Sequence, residues 1–481
     1  MNYSRLIPGG GSLLRRLCTA SPVSTVAELP KKKYNLYQRL SELEKTGGTV
    51  SQTLNQYIME GKAVGKSELD KCVQELRKYR RIHHAFEIME WMIMRKISFS
   101  WDNYAVHLDL VSKVKGLVDA ENYFNSLPPS AKNKYTYGSL LNCYCKELML
   151  DKALSHFEKM DELGYVTSLA FTNMMALYMR LGQPAKVPLL VNHMKQRKLR
   201  MTGFTYVVWM NSCAALNDLD GVESVYEEMK REDEEKIDWK TYSNVAAIYV
   251  KAEQFEKAEL MLKKMEEIVK PRQREAYHCL LGLYGGTGNV TEVYRVWRSL
   301  KMVSPVINRS YLVMLSTLKR INDMEGIIKC FKEWESRHVN YDSRLAGVAV
   351  YAYLSQNMVE EAVSIFEEAI RRCKGPFFRI REMFMMSLLE KRQLDGAMSH
   401  LEAALSDVTN DKYRPSPQVV RAFLRYYEEE TDLDGVDELS MILRSHNFDE
   451  SCIKTCITAS ESSPEIEPVL KEDSYVNQEN L

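Results

Sequence analysis

The sequence predicts an all-α solenoid built from helix-turn-helix units of about 35 residues, because three residue combs recur in one shared register. Aromatic residues stand at Tyr104, Tyr137, Phe171, Tyr206, Tyr242, Tyr277 and Tyr311, in steps of 33, 34, 35, 36, 35 and 34 residues. Small or β-branched residues follow at Ala85, Ala120, Ala153, Val187, Val222, Ala258, Val293, Ile327, Ala362 and Ala397. Seven residues behind these run Met92, Leu127, Met160, Met194, Met229, Met265, Leu300, Trp334, Ala369 and Ala404. Self-similarity of this kind specifies stacked units, and such proteins work through a long surface more than through a single pocket.

The chain opens on a targeting pattern. Arg5, Arg15 and Arg16 are interleaved with Leu6, Ile7, Leu13, Leu14 and Leu17, with no acid before Glu28. An amphipathic, Arg-bearing, acid-poor start is the pattern of an organellar transit peptide. Residues 1–33 are therefore expected to be transit peptide and linker. The destination is expected to be the mitochondrial matrix, with the plastid as the alternative.

Residues 34–65 are expected to form a helical N-terminal cap, since the end units of a solenoid must show one polar face to water. From Lys66 the combs place unit starts near 66, 101, 134, 168, 203, 239, 274, 308, 343, 378 and 417, giving about eleven repeats over 66–450. One unit illustrates the pattern. Gly203 to Leu216 reads as a first helix, Asn217-Asp-Leu-Asp220 as a turn, and Gly221 to Lys230 as a second helix. Val222, Val225, Tyr226 and Met229 form its apolar stripe, at the spacing of a helix face. The small comb marks close helix crossings, where packing density leaves little room. The tail, 451–481, is acidic and lacks a core pattern, so it is expected to be disordered.

Bulk properties narrow the function classes. Lys+Arg and Asp+Glu both number 65 in 481 residues, so overall basicity gives no argument for nucleic acid. Residues 1–33 hold six basic residues against Glu28, which leaves the remainder net acidic. No stretch of 18 apolar residues occurs, so no membrane insertion is expected. The ten cysteines are scattered and mark no disulfide framework.

Catalytic and metal motifs give no enzyme reading. Gly285-Gly-Thr-Gly288 lacks the GxxxxGK[ST] form and is read as the turn of the seventh repeat. His83-His84, Cys143-x-Cys145 and Cys452-x3-Cys456 do not assemble four ligands at workable spacing. No HExxH, GxSxG or zinc-deaminase signature is present. The run Glu227-Glu-Met-Lys-Arg-Glu-Asp-Glu-Glu-Lys236 reads as a solvated helix end. No cofactor and no metal are expected.

The period alone allows tetratricopeptide repeats, but finer motifs resemble the pentatricopeptide repeat (PPR) family. They include Asn133 to Lys146 with Asp151 to Gly164, and Lys240 to Lys251 with Phe255 to Met265. Leu54 to Gly61, Glu75 to Arg81, Ala85 to Met92 and Tyr284 to Trp297 resemble plant mitochondrial P-class members. The resemblance implies a right-handed superhelix with the first helix of each unit, helix A, on the concave face. It also implies single-stranded RNA as partner, at roughly one base per repeat. Organellar transcripts are the expected targets, and ribosomal or other organellar proteins are the alternative partners.

By the same resemblance, bases are read by the residue after the helix-A aromatic and by the last residue of the unit. The pairs here are Asp70/Ser100, Ala105/Asn133, Gly138/Thr167, Thr172/Thr202, Val207/Asp238, Ser243/Gln273, His278/Ile307 and Leu312/Asp342. Val207 and Leu312 offer no hydrogen bond to a base edge. Positions that sandwich bases in the family include Asp102, Lys240, Glu275 and Arg309. Arg274 and Arg381 lie near the same line and would add phosphate contacts. A base-by-base code is thus expected to be eroded, which leaves two readings: non-catalytic RNA binding, or a ribosome-associated scaffold.

Overall fold

The computed structural model describes residues 35–43, 47–232, 237–337, 340–406, 413–431 and 433–445. The expected transit peptide and acidic tail lie outside these residues, as do Cys452 and Cys456. The chain divides into two compact units, Met1–Val166 and Thr167–Leu481.

The first unit holds α1 (Leu36–Ser41), α2 (Val50–Met59), α3 (Lys66–Lys78), α4 (Ile82–Met94), α5 (Trp101–Lys115), α6 (Leu117–Ser126), α7 (Lys134–Lys146) and α8 (Leu150–Glu162). The second holds α9 (Ser168–Arg180), α10 (Val187–Gln196), α11 (Gly203–Ala215), α12 (Leu219–Glu232), α13 (Trp239–Lys251), α14 (Phe255–Ile268), α15 (Arg274–Gly286) and α16 (Val290–Val303). It continues through α17 (Asn308–Arg320), α18 (Met324–Arg337), α19 (Ser343–Ser355), α20 (Val359–Arg372), α21 (Phe378–Glu390), α22 (Leu394–Leu405), α23 (Pro417–Glu430) and α24 (Leu433–Ser445). No strand occurs among the described residues. From α3 onward the odd-numbered helices are A helices and the even-numbered ones B helices.

The hairpins close by one device. Two residues past the end of an A helix, the chain turns through a left-handed residue: Arg80, Leu148, Gly182, Asn217, Glu253, Gly288, Asn322, Asn357 or Arg392. The next amide then donates back to the carbonyl five residues earlier, as in Asp218 N to Cys213 O (2.9 Å) and Asp323 N to Leu318 O (2.9 Å). This bond satisfies a helix-end carbonyl that would otherwise lack a partner. The second hairpin is tighter. Gly116 alone joins α5 to α6, at φ +97°, a conformation that side-chain-bearing residues rarely adopt.

All ten residues of the small comb are completely buried, from Ala85 to Ala397. The Met/Leu comb is buried throughout, including Trp334. In the aromatic comb Tyr137, Phe171, Tyr206 and Tyr311 are buried, while Tyr104, Tyr242 and Tyr277 are only partly covered. Each fully buried Met or Leu contributes about 1.5–3 kcal/mol of transfer free energy. Along the B helices, ion pairs tie one hairpin to the next, as in Lys195–Glu228 (2.7 Å) and Arg295–Glu266 (2.6 Å). The side chains stay partly exposed, so each pair adds about 0–1 kcal/mol. The run from Glu227 is thus more structured than a free helix end: Glu228 takes Lys195, and Glu232 accepts from the Tyr206 hydroxyl (2.5 Å).

The glycine run differs from its sequence reading. Gly285 and Gly286 belong to α15, and only Gly288 lies in the turn beyond it. The cause is close packing. A Cβ on Gly285 would lie 2.4 Å from Thr317 Cγ2 on α17, and one on Gly286 would lie 2.8 Å from Val250 Cγ1 on α13.

Candidate nucleic-acid interface

In the second unit each A helix packs on the A helix of the next hairpin, from α9 through α23. α5 and α7 do the same in the first unit. The positions expected to read bases fall along this layer, and most of their polar side chains have structural partners.

The last-residue positions are the N-caps of the A helices. Ser100 Oγ accepts from Asn103 N (3.4 Å), Asn133 Oδ1 from Tyr135 N (2.9 Å) and Thr167 Oγ1 from Ala170 N (3.3 Å). Thr202 Oγ1 accepts from Thr205 N (3.2 Å) and Asp238 Oδ1 from Lys240 N (3.0 Å) and Thr241 N (3.1 Å). Asp342 accepts from Arg344 N (3.1 Å), Nε (3.0 Å) and Nη2 (2.8 Å). Burial alone would raise the Asp342 carboxyl, but the bonds from Arg344 hold it below the usual carboxylate range. Gln273 instead accepts from Lys270 N (2.9 Å), and Ile307 has no capping group. Ser, Thr, Asn and Asp are the preferred N-caps, so one short polar residue serves a structural need at the place where the family resemblance puts a reading residue.

In three pairs the other member bonds to the next hairpin. Asp70 Oδ1 accepts from Asn103 Nδ2 (2.9 Å). The hydroxyls of Thr172 and Thr205 lie 3.0 Å apart. His278 Nε2 and Ser310 Oγ lie 2.9 Å apart. Thr172, Ser243, Thr205 and Ser310 are buried, and Thr172 also donates to Ser168 O (2.8 Å). Burial pushes the His278 ring down to about 4, helped by Arg309 and Arg274 and opposed by Glu275, so the ring is neutral at physiological pH. Polar rungs, buried or partly buried, therefore join α3 to α5, α9 to α11 and α15 to α17, a polar ladder with three steps. Its groups meet the demand that buried donors and acceptors be paired.

The cations divide. Arg309 is exposed; Lys240 is partly covered, its Nζ 6.0 Å from the Trp239 ring centroid. Arg274 is held at the end of its own hairpin, donating to Ser304 Oγ (2.9 Å) and Pro305 O (3.1 Å) just past α16. Arg381 stacks over Phe366 at 5.3 Å.

Sequence reasoning missed the other members of the Arg309 line. The second residue of each A helix is exposed at Leu169, Phe204, Arg309, Arg344 and Arg379. The aromatic comb that set the register stops at Tyr311; its place is taken by Ala346 in α19 and Arg381 in α21. Counting from the helix starts recovers Arg344 and Arg379.

No group of three or more His, Cys, Asp or Glu residues suited to a metal occurs among the described residues. Cys143 is buried and its thiol is pushed up by burial to about 11, which makes it a weak nucleophile and ligand. Among the described residues no helix is long and apolar enough to cross a membrane.

The sequence comparisons agree with this architecture. A family model described as PPR repeat matches residues 135–165, 204–233, 240–268 and 348–373. The chain is 48% identical over 460 residues to a mitochondrial pentatricopeptide repeat-containing protein of Arabidopsis thaliana, covering 94% of this chain and 86% of that protein. It is 37% identical over 467 residues to the Arabidopsis thaliana large ribosomal subunit protein mL101, or rPPR4, covering 94% of this chain and 95% of that protein. A solved structure similar to it is the pentatricopeptide repeat protein PPR10 from maize, at 16% identity and TM-score 0.43, covering 88% of this chain and 65% of that one. With four repeats matched and a likeness to its relatives that runs through both units, the chain belongs to the pentatricopeptide repeat family.

Proposed function

We propose that this protein is a non-catalytic RNA-binding protein of the mitochondrial matrix. It holds single-stranded organellar RNA along its A helices by stacking and phosphate contacts, with little base-specific reading. Family membership and the mitochondrial relative support the class and the compartment. The observation that carries the finer reading is the polar ladder. Asp70, Thr172 and His278 are bonded to the next hairpin, and Ser100, Asn133, Thr202, Asp238 and Asp342 cap helices. Asp70, Thr172 and His278 would each have to give up a bond to the next hairpin before reading a base, at about 1–3 kcal/mol where the group left behind is buried, and the caps would have to release helix amides they now satisfy. Exposed Phe204 and Arg309 carry no such cost and contact any base or phosphate alike.

A second reading is a ribosome-associated scaffold, favoured by the likeness to mL101 over nearly its whole length. Crosslinking of the tagged protein in isolated mitochondria, followed by sequencing of bound RNA and identification of bound proteins, separates the two. Crosslinks spread over transcripts without a shared motif support the first. Co-purification with a ribosomal subunit, with crosslinks confined to ribosomal RNA or protein, supports the second.

A further inference from the structure

We propose that the second residues of α17, α19 and α21, Arg309, Arg344 and Arg379, form a continuous guanidinium row that grips the sugar–phosphate backbone of single-stranded RNA. The row works beside a stacking segment at Leu169 and Phe204. The proposal rests on the RNA-binding reading above and adds to it a division of labour along the second unit.

α17 packs on α19 and α19 on α21, and the three arginines occupy equivalent positions at the starts of these helices. All three are exposed. Packed helices lie about 8–10 Å apart, so the cations recur at that pitch. A strand that advances about one nucleotide per repeat meets one guanidinium per step. Planar guanidinium groups suit phosphate oxygens because they can donate two parallel bonds.

The placement is also unfavourable for the fold itself. The positive end of the helix dipole lies at the N-terminus, where acidic residues are stabilising and cations are not. Yet the first turns of α17, α19 and α21 contain no acidic residue. First-turn acids are missing from α7, α9, α11 and α13 as well, so what sets these three helices apart is an exposed arginine at the second place. Asp342 offsets one station, because its carboxylate pairs with Arg344 at 2.8 Å. Arg344 therefore contributes least.

The same position changes chemistry along the unit. Leu169 and Phe204 are apolar and exposed, and Lys240 and Glu275 follow before the arginines begin. Apolar side chains stack on base faces and do not bind phosphate, whereas guanidinium does both. Bases are thus held toward the α9–α11 end and the backbone toward the α17–α21 end.

The test measures affinity of the full chain against salt for a uridine oligonucleotide of about one nucleotide per hairpin, and for the matching ribose–phosphate oligomer without bases. Arg309→Gln/Arg344→Gln/Arg379→Gln should lower the slope of log affinity against log salt by roughly 2, from about 0.7 per phosphate contact. It should weaken both oligomers. Phe204→Ala should weaken only the oligomer that has bases. Arg309→Lys/Arg344→Lys/Arg379→Lys, which keeps the charge, should retain most of the slope. Thermal melting of each variant checks that the fold is intact. If the wild type binds but the Gln variant keeps the full slope, the row is wrong and the RNA reading stands. A Lys variant as weak as the Gln variant would also overturn it, because charge would not be the determinant. If the wild type has no affinity for either oligomer at low salt, the row and the RNA reading fall together.

Discussion

The hydroxyl oxygens of Thr172 on α9 and Thr205 on α11 lie 3.0 Å apart in a buried seam between two successive A helices. Thr205 also meets the N-cap hydroxyl of Thr202 at 2.9 Å, so capping and hairpin stacking share one group. Thr172→Val should therefore destabilise the protein by about 1 kcal/mol, as expected when one buried hydrogen bond is lost and Thr205 keeps its contact with Thr202. Chemical denaturation gives the loss, and RNA binding by the folded variant should keep its base preferences. A stable variant with altered base preference would mean that Thr172 reads RNA after all.

Gly285 is expected to tolerate no side chain. Its missing Cβ would lie 2.4 Å from Thr317 Cγ2. Gly285→Ala should cost about 1–3 kcal/mol through overpacking. Thr317→Ser removes the clashing methyl and should recover much of that loss in the double variant. Additive losses in the cycle would show that the two positions do not meet.

Ala258 is completely buried on α14. Ala258→Trp should force the crossing apart and destabilise the protein by about 1–3 kcal/mol or more. An unchanged melting profile would contradict the close crossing.

Acid should weaken the fold before its carboxylates titrate. Desolvation lowers His107, His156 and His400, and takes His278 from 6.5 to about 4. These rings bind protons more readily unfolded than folded, so stability rises with pH across this window. Their contribution is complete above about 6.5 and shrinks as the pH falls below it; for His278 it is lost toward pH 4. For His278 the facing charges are Arg309, Arg274 and Glu275, and the two cations outweigh the one acid. Melting temperature should fall by several degrees between neutral pH and pH about 5, and less steeply in His278→Asn. A flat profile in the wild type would contradict buried neutral rings.

The fold was legible because its signal repeats. Ala258 or Met229 alone says little, but ten residues in one register leave a single architecture, and all ten of the small comb are buried. The site was less legible. Asn133 and Thr202 carry side chains suited both to capping a helix and to reading a base, and composition at a position does not tell the two uses apart. Arg274 and Arg381 look like surface cations in sequence, but one is bonded to Ser304 at the far end of its own hairpin and the other stacks on Phe366. The exposed Arg344 and Arg379 were hidden by the loss of the aromatic comb after Tyr311. Gly285 shows the same limit. Its need for space comes from Thr317, 32 residues away and invisible to local pattern.

The most direct test of the account is equilibrium binding of the purified protein to a panel of short single-stranded RNAs of different sequence, repeated over a range of salt. The account predicts measurable affinity at low salt, a spread of no more than a few-fold among sequences, weaker binding to duplex RNA, and a fall of roughly 0.7 log units per log unit of salt for each phosphate held. One sequence bound a hundred-fold or so more tightly than the rest would contradict it, because discrimination of about 1–3 kcal/mol per base requires the base-edge contacts that the polar ladder occupies.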